Sequence, residues 1–471
     1  MFFSSRPSAS SCAGLCIFFR GWQLVLVATL ASLLQGCGTS PQGPPVGATH
    51  EAAVSKAATA VRVEKTGHGY RLLRGGKPYF LRGGGGTQQF ARLREAGGNT
   101  VRLWSTDYAG PLLSAAHNQG LTVMLGIWLE PESENFTYYD PAMVEAQRLR
   151  VRQEVLRFRH HPALLMWSVG NELELTSTGP RLFSAINELA RMIHELDPDH
   201  PVTTALALFV GRVAELQQLA PAVDILSINI YGGLSQLPAQ LKKSGWRGPY
   251  IISEYGAKGY WETDSTNWHV PIEQTSATKA AFMSERYRQV IPHDSACLGS
   301  YIFYWGSKFE YTPTWFSIFG PAGEKTEMVD ELQLLWLGRY PPNRSPHLTE
   351  MRLDGKSAIS NVQLVAGHSY PAVVTVSDPE GDSLTTRWEI LPEMRAKANT
   401  KEVVTPLEPL AGLVRQTGRQ QAQVRMPTKP GPYRLYARVF DGHGSMATAN
   451  IPVLVRAAPA AAVRYSATTK D

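Results

Sequence analysis

Two glutamates in this chain each stand at the end of an apolar run. Glu172 ends "ALLMWSVGNE", where Asn171 precedes it, and Glu254 lies in "PYIISEY". Short apolar runs of this kind are typical of buried strands, so both carboxyl groups are expected at strand ends. Cleavage of a glycosidic bond needs such a pair. One carboxyl group protonates the leaving oxygen, and the other acts at the anomeric carbon.

Each glutamate taken alone also has an ordinary structural interpretation. Glu172 can stabilise the N-terminus of a following helix, and Glu254 can be one half of a structural ion pair. Other strand ends favour a site, because they carry polar groups and aromatic rings on which sugars stack. These side chains are Arg102, Trp104, Trp128, Glu130, Asn171, Asn229, Tyr231 and Trp305.

Further side chains on the same rim have two interpretations that the sequence leaves open. Glu310 and Asp107 are either ligands of sugar hydroxyls or solvated loop charges. Trp261 and Trp315 are either sugar platforms or core residues, as is Trp128.

The elements that must position these residues alternate between strand-like and helix-like segments. Several of the helix-like segments end at glycine or proline. Eight alternations predict an α/β fold of the (β/α)8 barrel type, whose strand C-termini form a single rim. A doubly wound open sheet is the alternative, and it usually needs fewer strands. The strand-like runs are residues 78–83, 99–104, 121–129, 163–169, 201–208, 223–231, 249–255 and 298–306.

The motifs "WSVGNE" and "SEYG" resemble those of the retaining (β/α)8 glycoside hydrolases that include β-galactosidases, β-glucuronidases, β-mannanases and cellulases. Within that clan the chain is most similar to the family 2 catalytic barrel. The resemblance implies that Glu172 is the acid/base and that Glu254 is the nucleophile. It also implies that the clan's strand-two arginine is Arg102, its strand-six tyrosine is Tyr231 and its strand-eight tryptophan is Trp305.

The expected function is therefore that of a retaining β-glycoside hydrolase acting on a β-linked oligo- or polysaccharide. Asn171 would hold the 2-hydroxyl of the sugar, and Trp128 and Glu130 would help to bind it. A transglycosylase that remodels an exported β-glucan and a barrel that binds glycans without cutting them are the alternatives. No cofactor and no catalytic metal are implied.

The chain departs from the family in two respects, so substrate specificity does not carry over. Ser105-Thr106-Asp107 replaces the His-Tyr-Pro that follows strand two in the family. The family usually has β-sandwich domains before its barrel, whereas this barrel is preceded by a tether and by a hairpin predicted at "YRLLRGGKPYF". Gly83–Gly86 predict a tight turn beside the cleft, since no phosphate-binding motif continues from them.

Residues 1–36 have the pattern of an export signal. Their apolar run is too short to cross a bilayer, and "LLQGCGTS" resembles a lipobox in which Cys37 receives lipid. An ordinary secretory signal followed by a chance cysteine is the alternative. Residues 37–58 would form a flexible tether. The expected location is the cell envelope, through a lipid anchor, at the outer membrane or periplasmic face if the cell is Gram-negative.

Residues 346–458 change to alternating strands with frequent turns, which predicts an immunoglobulin-like β-sandwich similar to PKD and cadherin-like domains. Asp378, Glu380, Asp382 and Asp441 are either turn residues or ligands of a calcium ion. The barrel is expected over residues 59–345, and a disordered tail over 459–471.

Composition excludes several other classes of protein. A net charge of +6 is small for 471 residues, and no basic cluster interleaved with aromatic residues marks a nucleic-acid surface. No Cys/His pair has zinc-site spacing. Cys297 lies in an apolar context and is expected in the core.

Overall fold

The computed structural model describes residues 59–207, 210–393 and 407–458. The expected signal segment 1–36, the lipidation site Cys37, the tether 37–58 and the tail 459–471 lie outside the described residues. In the part of the chain that is described, no helix has both the length and the apolar character needed to cross a membrane.

A small antiparallel sheet closes the N-terminal end of the barrel. Its strands are β1 (Val61–Lys65), β2 (Tyr70–Arg74) and β3 (Lys77–Pro78), paired in that order. Gly75 and Gly76, at the turn between β2 and β3, have φ values of 56° and 75°, which favour glycine. Val61 and Leu72 pack against residues of the barrel interior such as Met124. The hairpin expected from the sequence therefore plugs the barrel on the side opposite to the strand C-termini.

Eight parallel strands form a closed barrel within the described residues, as the sequence predicts. Each pairs with its neighbours along the chain, and the last pairs with the first. Their apolar, β-branched character fits strands that are buried on both faces. They are β4 (Leu81–Gly85), β5 (Thr100–Leu103), β6 (Thr122–Ile127), β7 (Leu164–Asn171), β8 (Val202–Ala207), β9 (Ile225–Asn229), β10 (Tyr250–Tyr255) and β11 (Cys297–Ile302).

Helices on the outside cover the strands. The longest begins where Asp140 accepts hydrogen bonds from the N–H groups of Ala142 and Met143, with Pro141 at the first helical position. The described helices are α1 (Phe90–Glu95), α2 (Ala109–Asn118), α3 (Pro141–Phe158), α4 (Arg181–Leu196), α5 (Val210–Leu219), α6 (Leu237–Lys243), α7 (Ser276–Val290) and α8 (Glu327–Leu337). Cys297 is buried in the same core, as expected.

The glycine run does not form the tight turn expected from the sequence. Gly83, Gly84 and Gly85 lie inside β4. A Cβ atom on Gly83 would lie 2.2 Å from Cδ1 of Tyr301, so a larger residue would collide with the neighbouring strand. The glycines let bulky side chains of β11 and of the loop after it pack directly on the β4 backbone.

The C-terminal region is a β-sandwich of two four-stranded sheets over one core. Trp388, Leu435 and Ile451 lie in that core. The first sheet contains β12 (His347–Leu353), β14 (Ser369–Ser377), β17 (Gln421–Arg425) and β16 (Val414–Gly418), in that order. The second contains β13 (Gln363–Val365), β19 (Met446–Arg456), β18 (Gly431–Phe440) and β15 (Thr385–Pro392).

The acidic residues of the sandwich make turn contacts. Asp378 Oδ1 accepts from the N–H groups of Glu380 and Asp382 at 3.0 and 2.9 Å. Glu380 itself faces away, because it pairs with Arg344 at 2.8 Å. Carboxylate oxygens of Asp378, Asp382 and Asp441 lie within 4.8 Å of one another. Turn chemistry therefore explains the contacts of Asp378, and Glu380 is not part of the acidic group.

Buried polar contacts join the barrel to the sandwich. Glu273, before α7, pairs with Lys279 at 2.5 Å and accepts from Asn450 Nδ2 of β19 at 2.6 Å. Arg434 of β18 donates to Asn450 Oδ1 at 2.7 Å and pairs with Glu393 at 3.0 Å. Glu273 and Lys279 are 5% and 4% exposed. Each ion pair lies within one domain, and Asn450 joins the two pairs across the boundary because it hydrogen-bonds to both Glu273 and Arg434.

Replacing Lys279 with methionine should lower the free energy of unfolding by about 3 kcal/mol, because Glu273 would stay buried without its cation. Urea unfolding followed by circular dichroism measures this loss. The double variant Lys279→Met/Glu273→Gln removes both charges and should recover much of the stability. An unchanged unfolding free energy in the single variant would show that the buried pair does not stabilise the fold.

Candidate active site

Three donors converge on the carboxylate of Glu254 at the end of β10. Arg102 Nη1 lies 2.5 Å and Trp104 Nε1 2.9 Å from Oε1, and the Tyr231 hydroxyl lies 2.8 Å from Oε2. Glu254 is 6% exposed. Charged donors and acceptors form the stronger hydrogen bonds, so this environment is matched to a negatively charged carboxylate held in one orientation.

Arg102 links three strands of the barrel around that carboxylate. Besides Glu254 on β10, it donates to the Ser253 carbonyl at 2.9 Å and to Asn171 Oδ1, at the end of β7, at 2.6 Å. Its guanidinium lies 4.9 Å from the ring centroid of Trp104. The side chain is 1% exposed, so Glu254 provides the negative charge that such a buried cation requires.

Glu172 follows β7 and faces the same region from the other side. Asn229 Nδ2 donates to its Oε1 at 2.8 Å. Burial, and next the charge of Glu254, raise the pKa of Glu172 to about 7, although Asn229 and Arg102 act in the opposite direction. The charge of Glu310 also raises the pKa of Glu172, by a smaller amount. Near pH 7 a large share of Glu172 is therefore protonated beside the hydrogen-bonded carboxyl group of Glu254, which suits general acid catalysis.

The backbone that presents Glu172 is unusual. Glu172 has a φ of 52°, a left-handed conformation that costs a residue with a side chain on the order of 1–3 kcal/mol. Gly170, two residues earlier, has a φ of 74°. The Glu172 N–H donates to the Ala205 carbonyl of β8 at 2.8 Å, which fixes the turn. Strain of this kind is concentrated at functional sites, because the surrounding structure must compensate for it.

Asn229 links Glu172 to Asn171 and to Ser253, the residue before Glu254. Its Oδ1 accepts from Ser253 Oγ at 2.7 Å, and this contact directs Nδ2 toward Asn171 Oδ1 at 3.1 Å and toward Glu172. The sequence pointed to Asn229 and Trp104 as strand-end residues, but it gave them no role in holding the glutamates. The structure thus brings together five side chains proposed from the sequence: Arg102, Asn171, Glu172, Tyr231 and Glu254.

Trp305 lies in the barrel core, apart from these side chains. Its burial contradicts the prediction that it contacts substrate. The ring is 1% exposed, its Nε1 donates to the Gln89 carbonyl at 3.0 Å, and it stacks on Trp336 of α8. Strand β11 ends at Ile302, so the residue that reaches the site is Phe303, whose ring lies 5.7 Å from Trp104 and 6.0 Å from Tyr231. The predicted strand ran to residue 306. A strand ending at Ile302 would point to Phe303 instead of Trp305.

Trp128 and Glu130 follow β6 and are partly buried. The carbonyl of Trp128 accepts from Arg150 at 2.7 Å, and the N–H of Glu130 donates to Gln147 at 2.8 Å. These contacts fix the backbone of the loop. Sugar binding by the two side chains stays a prediction.

The remaining rim residues separate into buried and exposed groups. Trp315 is 1% exposed and donates to the Lys258 carbonyl, so it is a packing residue, whereas Trp261 is 58% exposed. Glu310 pairs with Lys308 at 2.6 Å. Asp107 is exposed and accepts from Ser105.

Comparison with known families places the similarity in the barrel. Residues 113–319 match the family described as glycosyl hydrolases family 2, TIM barrel domain. This segment contains both Glu172 and Glu254 but less than half of the chain. The barrel is therefore similar to the catalytic barrels of glycoside hydrolases.

Several β-glucuronidases are similar over part of their length. That of Streptococcus agalactiae is 25% identical over 229 residues, 43% of this chain and 37% of that protein. The proteins of Pongo abelii and Homo sapiens are 31% and 30% identical over 193 residues, each 36% of this chain and 27% of the relative. This chain thus spans less than two fifths of the length of these relatives.

Solved structures align with part of the chain. The β-D-glucuronidase of Dictyoglomus thermophilum aligns with a TM-score of 0.48 and 20% identity over 60% of this chain and 54% of that chain. A β-glucuronidase of Bacteroides uniformis aligns with a TM-score of 0.45 and 15% identity over 85% and 48%.

Replacing Glu254 with glutamine should lower the pKa of Glu172 from about 7, because it removes the neighbouring negative charge and leaves Arg102 in place, while burial still acts to raise that pKa. Carbon-13 NMR titration of labelled glutamate carboxyl groups, assigned with a Glu172→Gln sample, measures the change. Glu310→Gln is the matched control and should lower the same pKa by less. A pKa that stays near 7 in Glu254→Gln would mean that burial alone raises it.

Proposed function

We propose that this chain is a retaining β-glycoside hydrolase that uses Glu254 as nucleophile and Glu172 as acid/base. One observation carries the proposal. Glu254 is oriented by Arg102, Trp104 and Tyr231, opposite a glutamate whose pKa is raised to about 7. The similarity of residues 113–319 to family 2 glycosyl hydrolases supports the same chemistry.

The reaction proceeds in two displacements. Glu254 attacks the anomeric carbon while Glu172 gives its proton to the departing oxygen, and a glycosyl ester forms on Glu254. The ester removes the negative charge that raised the pKa of Glu172, so Glu172 becomes a ready base. It then takes a proton from water, which attacks the anomeric carbon, releases Glu254 and gives net retention.

Asn171 and Asn229 have supporting roles in this scheme. Asn171 accepts from Arg102 and Asn229 through its Oδ1, which leaves its amide nitrogen as the donor for a sugar hydroxyl. Asn229 keeps the Glu172 carboxyl group in place through its hydrogen bond to Oε1. The Tyr231 hydroxyl holds Glu254 Oε2, and its own pKa is raised well above the usual range by burial and by Glu254, so it stays protonated.

The substrate is proposed to be a β-linked glycoside. β-Glucuronides are the first class to test, because the curated relatives are named β-glucuronidases. β-Glucan, mannan, galactan and xylan oligosaccharides complete the panel. The chain matches only part of those relatives, so the panel must decide among these sugars.

Wild type and Glu254→Gln, both full length, are incubated with the panel, and the products are read by mass spectrometry. We expect shorter products from wild type alone, and proton NMR of the first product should show the β anomer. Longer products would instead identify a transglycosylase. Binding by both proteins without any product would favour a glycan-binding barrel, and an α anomer would contradict the retaining mechanism.

Glu172→Gln should slow cleavage of substrates with poor leaving groups by about 10²–10⁴-fold, because such groups need a proton. Cleavage of a dinitrophenyl glycoside should suffer less in its first step, since that leaving group departs unprotonated. Added azide should then yield the β-glycosyl azide in Glu172→Gln, detected by NMR. Equal losses for both leaving groups would contradict the acid/base role.

We also propose that the protein is exported and anchored through lipid on Cys37, as the "LLQGCGTS" motif suggests. Cells expressing the protein with labelled palmitate should give a labelled band that Cys37→Ala abolishes. Cys297→Ala is the matched control and should keep the label. An unlabelled but secreted wild type would identify an ordinary signal peptide instead.

A further inference from the structure

An exposed tryptophan stands beside the proposed reaction centre. Trp261, on the loop after β10, is 58% exposed. Its ring centroid lies 5.6 Å from that of Tyr231, and the Tyr231 hydroxyl holds Glu254 at 2.8 Å. A tryptophan left in water loses the stabilisation that burial would give, so such a ring next to a site needs an explanation.

The position of Trp261 is fixed by its own loop. The carboxylate of Glu262 accepts from the N–H groups of Gly232 at 2.8 Å and Gly259 at 2.9 Å, which clasps this loop to the one after β9. A Cβ atom on Gly259 would lie 2.4 Å from Cε2 of Trp261, so only glycine lets the ring lie against the backbone there. The ring is thus positioned before any ligand arrives, which reduces the entropy lost on binding.

Further aromatic rings continue from Trp261 away from Tyr231. Tyr260 lies 4.8 Å from Trp261 and stacks on Tyr311, with centroids 5.1 Å apart and an interplanar angle of 24°. Both tyrosines are partly exposed. We call Tyr260, Trp261 and Tyr311 the aromatic ridge. The first ring of the ridge, Trp261, is the neighbour of Tyr231. The reacting sugar would lie beside Tyr231.

The sandwich supports the far end of the ridge from behind. Thr312, next to Tyr311, donates to Glu273 at 2.7 Å, and the Thr314 carbonyl accepts from Lys279 at 2.7 Å. Asn450 of the sandwich donates to the same Glu273 carboxylate. The loop that carries Tyr311 is therefore tied to a buried network, which gives the ridge a rigid base.

We propose that the aromatic ridge is a second sugar-binding subsite, in which Trp261 stacks on the ring next to the one that reacts. The inference rests on the proposed function and narrows its substrate class to chains of two or more β-linked sugars. Aromatic faces bind the C–H surfaces of sugar rings, and the ridge is continuous with the side chains that hold Glu254. If the test shows that the ridge does not bind sugar, the exposed ring is instead a surface for a partner protein.

The test compares wild type, Trp261→Ala and Trp261→Phe, all full length, on the best oligosaccharide of the panel and on the nitrophenyl glycoside of the same sugar. Trp261→Ala should reduce kcat/KM for the oligosaccharide about tenfold more than for the nitrophenyl glycoside, mainly through KM. Trp261→Phe keeps an aromatic face and should recover part of the loss. Equal losses on both substrates would overturn the proposal, because Trp261 would then act through Tyr231.

Binding separates failure of the subsite from failure of the proposed function. The same oligosaccharides are titrated by calorimetry into Glu254→Gln and into Glu254→Gln/Trp261→Ala. About tenfold weaker binding in the double variant would support the subsite even if wild type cleaves nothing. Equal binding by the two, or no binding of any oligosaccharide by Glu254→Gln, would overturn it and leave the exposed ring as a surface for a partner protein.

Discussion

The buried contact between Arg102 and Glu254 is the constraint on which the rest of the site depends. Both side chains are almost completely buried. An unpaired charge in that buried environment would be strongly destabilising. The pair therefore fixes the positions of β5 and β10, which are not neighbours in the barrel. Asn171 on β7 joins the same guanidinium, and Trp104 and Tyr231 complete the environment of the carboxylate. A closed barrel is suited to this arrangement, since it brings distant strands to one rim.

The same burial gives the two glutamates different properties. Glu254 is surrounded by donors, whereas Glu172 has one amide donor, and burial, followed by the charge of Glu254, raises the pKa of Glu172. Two residues of one type thus have different environments, which the proposed division into acid and nucleophile requires. The left-handed backbone at Glu172 belongs to the same arrangement, because the turn at Gly170 delivers the carboxyl group toward Asn229. The strain is compensated by the hydrogen bond to Ala205 on β8.

The sequence predicted the barrel and pointed to five side chains that the structure brings together, because both depend on patterns it displays directly. Apolar runs alternating with helices predict the barrel, and residues at strand ends predict which side chains meet. The sequence does not show in which direction a side chain just beyond a strand points. Trp305 and Phe303 both follow an apolar run, and only the end of β11 at Ile302 decides that Phe303 faces the site. For a related reason the sequence does not show that the glycines of β4 belong to a strand, since their cause is the bulk of Tyr301 on another strand.

The proposed site extends beyond the segment that resembles known catalytic barrels. Residues 113–319 include both glutamates, but Arg102 and Trp104, which hold Glu254, precede that segment. Asn450, which follows it, reaches the buried carboxylate of Glu273 beneath the loop of Tyr311. The sandwich is therefore part of the framework that shapes the rim, in contrast to a module joined by a free linker. The matched segment contains both glutamates, but the side chains that orient Glu254 and the support beneath the rim come partly from residues on both sides of it.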